Sequence, residues 1–343
     1  MGRDNTAIWS EMHARHYAEL ANQQNMLEDA IRTAAYHDAI LDNRADFEGK
    51  VVMDVGAGSG ILSLFAAQAG AARVYAVEAT PVAECVRTLA KANGFADRIT
   101  VLQGTVQHLT LDSKVDVIVS EPLGVFLVHE RMLDAYVIAR ERFLKPGGRM
   151  FPSAATLFLA PFSDGVAHSG WEGWAHFWEQ TSFYGCDLSA MARAARADAF
   201  AMPVVGPMTA PSLMAAPVSH AVDFCRVSTA ELARMRIPLA FEIETGGTLH
   251  GLAGWFDASL SGSVADVTLT TSPHAPKTHW YQTRLLFDRP AVVAPGERLE
   301  GQILLTGNDA CSYDIRVTLS IPGSDWKIDA AYELHRHRYW WNT

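Results

Sequence analysis

The sequence predicts a doubly wound α/β domain of parallel strands, followed by a β-barrel-like domain that carries a helical arm. Three observations predict it. The apolar run Val51-Val52-Met53-Asp54-Val55 ends in Gly56-Ala57-Gly58-Ser59-Gly60 and continues as Ile61-Leu62-Ser63-Leu64-Phe65-Ala66-Ala67: a strand, a tight turn and a helix. Strand and helix then alternate to about Pro152. Beyond it, period-two alternation takes over. Ile237, Leu239, Phe241 and Ile243 share one face, as do Ile315, Val317, Leu319 and Ile321.

Taken in order, residues 8–45 read as helices, with Leu27, Ile31, Ala34 and Ala35 at helical spacing and Asp29 and Arg32 between them. Strands follow at 51–55, 73–77, 99–102 and 115–119, and Lys145-Pro146-Gly147-Gly148 turns the chain toward a last one. An aromatic, helix-like insert, Trp171 to Tyr184, precedes the β-rich part. The tail His335-Arg336-His337-Arg338-Tyr339-Trp340-Trp341 is basic and aromatic and is expected to pack on the body. The expected division is 1–45 for helices covering the site, 46–152 for the α/β domain, and 153–343 for the barrel-like domain with its arm at about 164–190.

Composition narrows the function classes. With 49% hydrophobic and 19% charged residues, 343 residues can bury a large core, as an ordinary globular protein does. A net charge of −10 argues against a nucleic-acid surface and suits a cationic substrate. Cys85, Cys186, Cys225 and Cys311 are scattered without metal spacing, so free thiols and a cytoplasmic protein are expected. No run is long and apolar enough to predict a membrane span. Met1-Gly2-Arg3-Asp4-Asn5-Thr6 formally matches a myristoylation pattern, a match short enough to read as chance.

The glycines free the turn for a ligand's close approach, and Glu78, about 20 residues on, suits a bidentate hold on ribose hydroxyls. Ile61 stands where a dinucleotide-binding G-x-G-x-x-G would have its third glycine. The resulting G-x-G-x-G, with Asp54 before it and Glu78 after, resembles S-adenosylmethionine (SAM) methyltransferases, a Rossmann-like fold. Strand 115–119 ends in Ser120-Glu121-Pro122-Leu123-Gly124, and Glu130 returns in Glu130-Arg131-Met132-Leu133, which can set two carboxylates face to face. Singly, Glu121 reads as a helix-start acid and Glu130 as a surface charge.

Together these residues resemble the double-glutamate loop of the protein arginine methyltransferases, nearest to the coactivator-associated, type I-like members. Gln23-Gln24-Asn25-Met26 leading to Arg32-Thr33, the segment Val51 to Glu78, Phe151-Pro152-Ser153 and Thr278-His279-Trp280-Tyr281-Gln282 agree with that family, over roughly residues 17 to 320. The resemblance implies the following roles. Gly56 and Gly58 line the methionine portion of SAM, with Asp54 in the same cofactor motif. Glu78 holds the ribose, Arg32 the SAM carboxylate, and Val106 and Gln107 flank the adenine. Glu121 and Glu130 grip a guanidinium, His279 pairs with Asp29, and Trp280 helps to wall the site. Met26 and Met132 border the acceptor, and the insert is a dimerisation arm. Guanidinium is planar, permanently charged and rich in donors, so paired carboxylates are its natural receptor. The implied reaction is methyl transfer to the guanidino Nω of arginine, leaving S-adenosylhomocysteine, by a homodimer and without a metal.

The acceptor half departs from the family. Its Tyr-Phe-x-x-Tyr segment is here His13-Ala14-Arg15-His16-Tyr17, keeping only Tyr17; Val125 stands where a tyrosine is usual; His129 and Lys277 replace uncharged residues. A free amino acid brings an α-carboxylate that His13, His129 or Lys277 would meet, and no further recognition module is expected beyond the core. The expected acceptor is therefore free L-arginine or a small derivative, giving mainly Nω-methylarginine. The alternative is a type I protein arginine methyltransferase making mono- and asymmetric dimethylarginine. A third reading, a non-catalytic SAM-binding scaffold, has no chemical need for Glu121, Glu130, His279 and Asp29 together.

Overall fold

The computed structural model describes residues 5–340; most of the myristoylation pattern and Trp341 lie outside them. Helices α1 (Asn5–Ala18), α2 (Leu20–Glu28), α3 (Ala30–Asp42) and α4 (Arg44–Phe47) precede the first strand. Asp29 separates α2 from α3 and caps the latter, its carboxylate accepting the Arg32 N–H at 3.0 Å.

The α/β unit contains β1 (Val51–Val55), α5 (Ile61–Gln68), β2 (Arg73–Glu78), α6 (Ala83–Ala92), β3 (Ile99–Gln103), β4 (Val115–Ser120), α7 (Met132–Phe143) and β5 (Leu144–Phe151). The strands form a parallel sheet in the order β3-β2-β1-β4-β5. Their β-branched runs are buried on both faces, as helices covering both sides require. Strand order reverses between β1 and β4, where ligands of such sheets bind beyond the carboxyl ends. Val55 pairs in register with Ser120, so the glycine turn and Glu121 emerge side by side. Lys145-Pro146-Gly147-Gly148, expected as a turn before the last strand, lies inside β5. Leu144 pairs with Val115 but Arg149 with Val117, so the Pro-Gly-Gly segment is accommodated as an irregularity of the strand.

The second unit contains β6 (Ala154–Phe162), α8 (Gly165–His176), α9 (Ala192–Phe200), β7 (Val204–Gly206), β8 (Val218–Asp223), α10 (Thr229–Ala233), β9 (Arg234–Glu242), β10 (Gly247–Ser261), β11 (Asp266–Thr270), β12 (Gln282–Val293), β13 (Arg298–Asn308), β14 (Ser312–Ser320), β15 (Lys327–Glu333) and β16 (Arg338–Tyr339). One sheet runs β16-β7-β12-β10-β6-β8, with β11 on β10; the other, antiparallel, runs β15-β14-β13-β9. The alternation read at 237–243 appears as alternately buried and exposed residues of β9, and Phe241, Phe256, Leu285 and Ile303 share one core between the sheets. The tail packs as expected: β16 pairs with β7, and Trp340 N–H reaches Val205 O.

Asn43, fully buried, joins the N-terminal helices to this unit. Its amide donates to Ala39 O and Ala265 O, and its carbonyl accepts Val264 N–H and Ala265 N–H at 2.9 and 2.8 Å. The arm differs from expectation at Trp171. That ring is only 4% exposed, donates to Ala199 O and meets Trp340 edge-on, so it belongs to the chain's own core. Trp174, Phe177 and Tyr184 are the large aromatic residues of the arm left in solvent.

Asp54 corrects a second expectation. It does not line the cavity beside the glycine turn but lies beneath it, 1% exposed, accepting the Ser63 hydroxyl at 2.7 Å. Burial pushes its carboxyl up to about 7, against the opposing hydrogen bonds from Ser63. A folded pKa above the unfolded value means the native state holds the extra proton, so this group's stability contribution is lost as pH rises from about 4 to about 7. Asp54→Asn should therefore gain stability relative to wild type across that window, by on the order of a few kcal/mol at pH 8 and little at pH 4. Chemical denaturation at the two pH values measures it; a difference independent of pH would refute the assignment.

Candidate active site

A cavity of about 570 Å³ opens at the switch point. Its cofactor side is built on backbone. Gly56 and Gly58 have φ of +71° and +53°, and a Cβ at Gly58 would come within 2.7 Å of Gln23 Oε1. Glu78, buried at the end of β2, accepts Gly58 N–H at 2.8 Å on one oxygen and Thr80 N–H at 2.7 Å on the other. Each oxygen keeps a further lone pair, enough for two vicinal hydroxyls. Val106 and Gln107 line the cavity, and the Val106 carbonyl is held by the Arg142 guanidinium.

Arg32 lines the cavity from α3 at 6% exposure. Its Nη2 donates to Glu121 Oε2 at 3.3 Å, while its buried Nε finds no partner among the described residues. A buried guanidinium donor without an acceptor is costly, so the position fits a carboxylate ligand.

The segment from Glu121 to Met132 forms the acceptor side. Phe126, Leu127, Glu130 and Arg131 all have φ between 55° and 70°. Left-handed backbone costs roughly 1–2 kcal/mol per non-glycine residue, so the loop needs firm packing. Phe126, Leu127 and Val128 are buried at 2% exposure or less, and Gly124 N–H closes onto Leu127 O at 3.0 Å. A Cβ on Gly124 would lie 2.1 Å from His129 O, and one on Gly254 would lie 2.0 Å from the Phe126 ring. Glycine at 124 lets the loop fold back on itself, and glycine at 254 lets loop and barrel meet.

This packing fixes the two carboxylates. Glu121 accepts Leu123 N–H at 3.0 Å besides Arg32. Burial raises its pKa, which the charges of Arg32 and His279 oppose. Glu130 accepts the Tyr17 hydroxyl at 2.7 Å; burial, then the Glu130 charge, raises that phenol well above its ordinary value, so it stays a donor.

Behind this wall, Asp29 accepts both His279 Nδ1–H, at 2.7 Å, and His279 N–H, at 2.8 Å. Burial alone would raise the Asp29 pKa, but the hydrogen bonds from His279 and Arg32 outweigh it and hold the carboxyl below the usual range. The charged acceptor keeps the His279 proton on Nδ1. Trp280 does not wall the cavity. Its ring lies against His279, 3.8 Å between centroids, and its Nε1 donates to Leu123 O at 2.9 Å, bracing the loop from outside.

Met26, Met132, His13 and Tyr17 line the cavity, but Lys277 does not. Its ammonium sits 4.9 Å over the Tyr281 ring. His129 lines it but is buried at 8% exposure, and burial pushes its pKa down to about 3, so it is neutral and offers no cation to a carboxylate. Gln23 was not anticipated. Its carbonyl accepts Ser59 N–H at 2.9 Å and its amide donates to Tyr17 O at 2.9 Å, tying α1 and α2 to the glycine turn. Its place in Gln23-Gln24-Asn25-Met26 was the available signal.

Comparisons with known proteins place this geometry. A family model described as the arginine methyltransferase oligomerization subdomain matches residues 153–323, and one described as ribosomal protein L11 methyltransferase matches 34–153. A probable histone-arginine methyltransferase CARM1 of Oryza sativa subsp. indica is 46% identical over 312 residues, 91% of this chain and 59% of that protein. The histone-arginine methyltransferase CARMER of Drosophila persimilis is 44% identical over 315 residues, 92% of this chain and again 59% of the relative. The chain thus spans about three fifths of the length of these relatives. Among solved structures, the Trypanosoma brucei PRMT1 enzyme-prozyme heterotetrameric complex with AdoHcy superposes with a TM-score of 0.84 at 32% identity, over 92% of this chain and 99% of that one. Arabidopsis thaliana protein arginine methyltransferase 10 gives 0.86 at 32% identity, over 93% and 99%. With that identity across the whole length of those two structures, the chain belongs to the protein arginine methyltransferase family.

Proposed function

We propose that this chain is a SAM-dependent arginine N-methyltransferase acting on arginine within proteins. The observation that carries the reading is one cavity holding Glu121 and Glu130 beside Arg32, Glu78 and the glycine turn. Arg32 would hold the donor's carboxylate and Glu78 its ribose, with Gly56, Gly58 and Met132 along the methionine portion and Val106 and Gln107 at the base. The bound donor supplies an electrophilic methyl group on a sulfonium. Bringing a second cation within about 4 Å of it costs roughly 4 kcal/mol at an effective dielectric near 20, which the two glutamates offset while accepting guanidinium N–H groups. Fixing the guanidinium orients the attacking nitrogen. Its proton passes to Glu130, which Tyr17 holds in place through Oε2. The His279–Asp29 pair positions the loop and adds polarity beside Glu121.

Free L-arginine, the acceptor expected from the substitutions, is replaced here by arginine in proteins. Of its three candidate carboxylate partners, Lys277 lies off the cavity and His129 is neutral. The relatives at 44–46% identity are named for histones. A homodimer through the arm fits the exposure of Trp174 (51%), Phe177 (44%) and Tyr184 (94%) within the oligomerization match.

Three outcomes test this. Glu130→Gln keeps an acceptor for Tyr17 but loses the charge, so turnover should fall at least about a hundredfold with donor affinity nearly unchanged. Near-normal turnover would remove Glu130 from the clamp. An arginine-containing histone peptide should exceed free L-arginine in kcat/KM by more than about tenfold, because remote contacts add transition-state binding; equal values would restore the free amino acid. Trp174→Asp combined with Tyr184→Asp should convert a dimer to a monomer in light scattering, and an unchanged mass would rule out the arm as the interface.

A further inference from the structure

The acceptor mouth holds a second constellation, in which Glu130 meets two histidines that methyl transfer does not require. Helix α1 sets the His13 ring edge-on to His129, 6.1 Å between centroids. One ring nitrogen from each and a carboxylate oxygen of Glu130 all lie within 4.8 Å of one another. Two imidazoles and one carboxylate form a borderline-soft donor set that suits Zn²⁺ and not the all-oxygen preference of Mg²⁺ or Ca²⁺. Around tetrahedral zinc, with bonds of about 2.0–2.1 Å, ligand atoms stand about 3.3 Å apart. Side-chain rotation of roughly an ångström closes the observed spacing to that value.

The outer contacts are those of a metal site. His129 Nδ1 lies 2.8 Å from Ser312 Oγ, a bond that orients the ring and leaves Nε2 as its ligand atom. Tyr17 donates to one Glu130 oxygen and leaves the other for a ligand. Three protein ligands leave a fourth position open to water from the cavity, which all three line.

We propose that His13, His129 and Glu130 form a zinc-binding site at the acceptor mouth, and that zinc there excludes the arginine substrate by taking the Glu130 carboxylate. The exclusion rests on the proposed function; the binding does not. The site arises from the sequence's own departure, since His13 and His129 stand where the resembled family carries other residues.

The test begins with the whole, chelator-treated protein and ZnCl₂ alone, titrated against a chromophoric chelator. One equivalent should bind, with His13→Ala and Glu130→Gln each weakening it at least about tenfold, while thermal melts of the metal-free variants report intact folding. Co²⁺ substitution should give a tetrahedral nitrogen–oxygen spectrum; thiolate charge-transfer bands would assign binding to cysteine instead. No binding at micromolar zinc, or binding unaltered in both variants, overturns the site. Zinc should then raise the KM for an arginine peptide without changing that for the methyl donor, and zinc bound with an unaltered peptide KM overturns the exclusion. Turnover of the metal-free protein, measured separately, distinguishes failure of the zinc site from failure of the methyltransferase reading.

Discussion

The Asp29 carboxylate joins the parts that make this site. One oxygen caps α3, which carries Arg32; the other accepts two hydrogen bonds from His279 in the barrel-like unit. Trp280, the next residue, then reaches Leu123 in the glutamate loop. Helix, barrel loop and glutamate loop are thus in register through one buried charge. An aspartate suits this junction because three donors converge on it, which compensates the desolvation that would otherwise protonate it. Losing the carboxylate would leave those donors unpaired at once and loosen Arg32 and Glu121 together.

The glutamate loop shows how strain is distributed around that junction. Four non-glycine residues in left-handed conformations would not persist in a solvated loop. They persist because Phe126 fills the space above Gly254 and because Gly124 lets the chain return against itself. The apolar middle of the loop is its anchor, and the two glutamates at its ends are what the anchor presents. Rigidity is required there because two carboxylates in one cavity repel each other, and mobile side chains would relax away.

Much of the fold was legible in the sequence. Strands at 51–55 and 115–119 were readable because parallel strands buried on both faces leave continuous β-branched runs, and β9 because one face only is buried. The Pro-Gly-Gly of β5 misled because an irregular pairing can hold residues that normally end a strand. Long-range partners were less accessible. Gln23 meets Ser59 across 36 positions and His129 meets Ser312 across 183, and no local period encodes either. Trp171 and Trp174 look alike in sequence, yet α8 turns one into the core and the other to solvent. Lys277 read as a substrate contact because it stands where the resembled family carries an uncharged residue, but its ammonium lies over Tyr281.

The N-terminal helices complete the cavity and also define its chemistry. Tyr17, Gln23 and Arg32 each bond to a group of the α/β unit: Glu130, Ser59 and Glu121. Without them the glutamates would face water, where carboxylates bind guanidinium weakly against solvent competition. With them, Glu121 is buried and its charge is compensated by Arg32 and His279, so the cationic ligand of the proposed function would enter a site of reduced dielectric already poised for it. In the proposed function, selectivity for a cation would therefore depend less on the chain's overall acidity than on docking α1–α3 over a strained loop that holds its two acids apart.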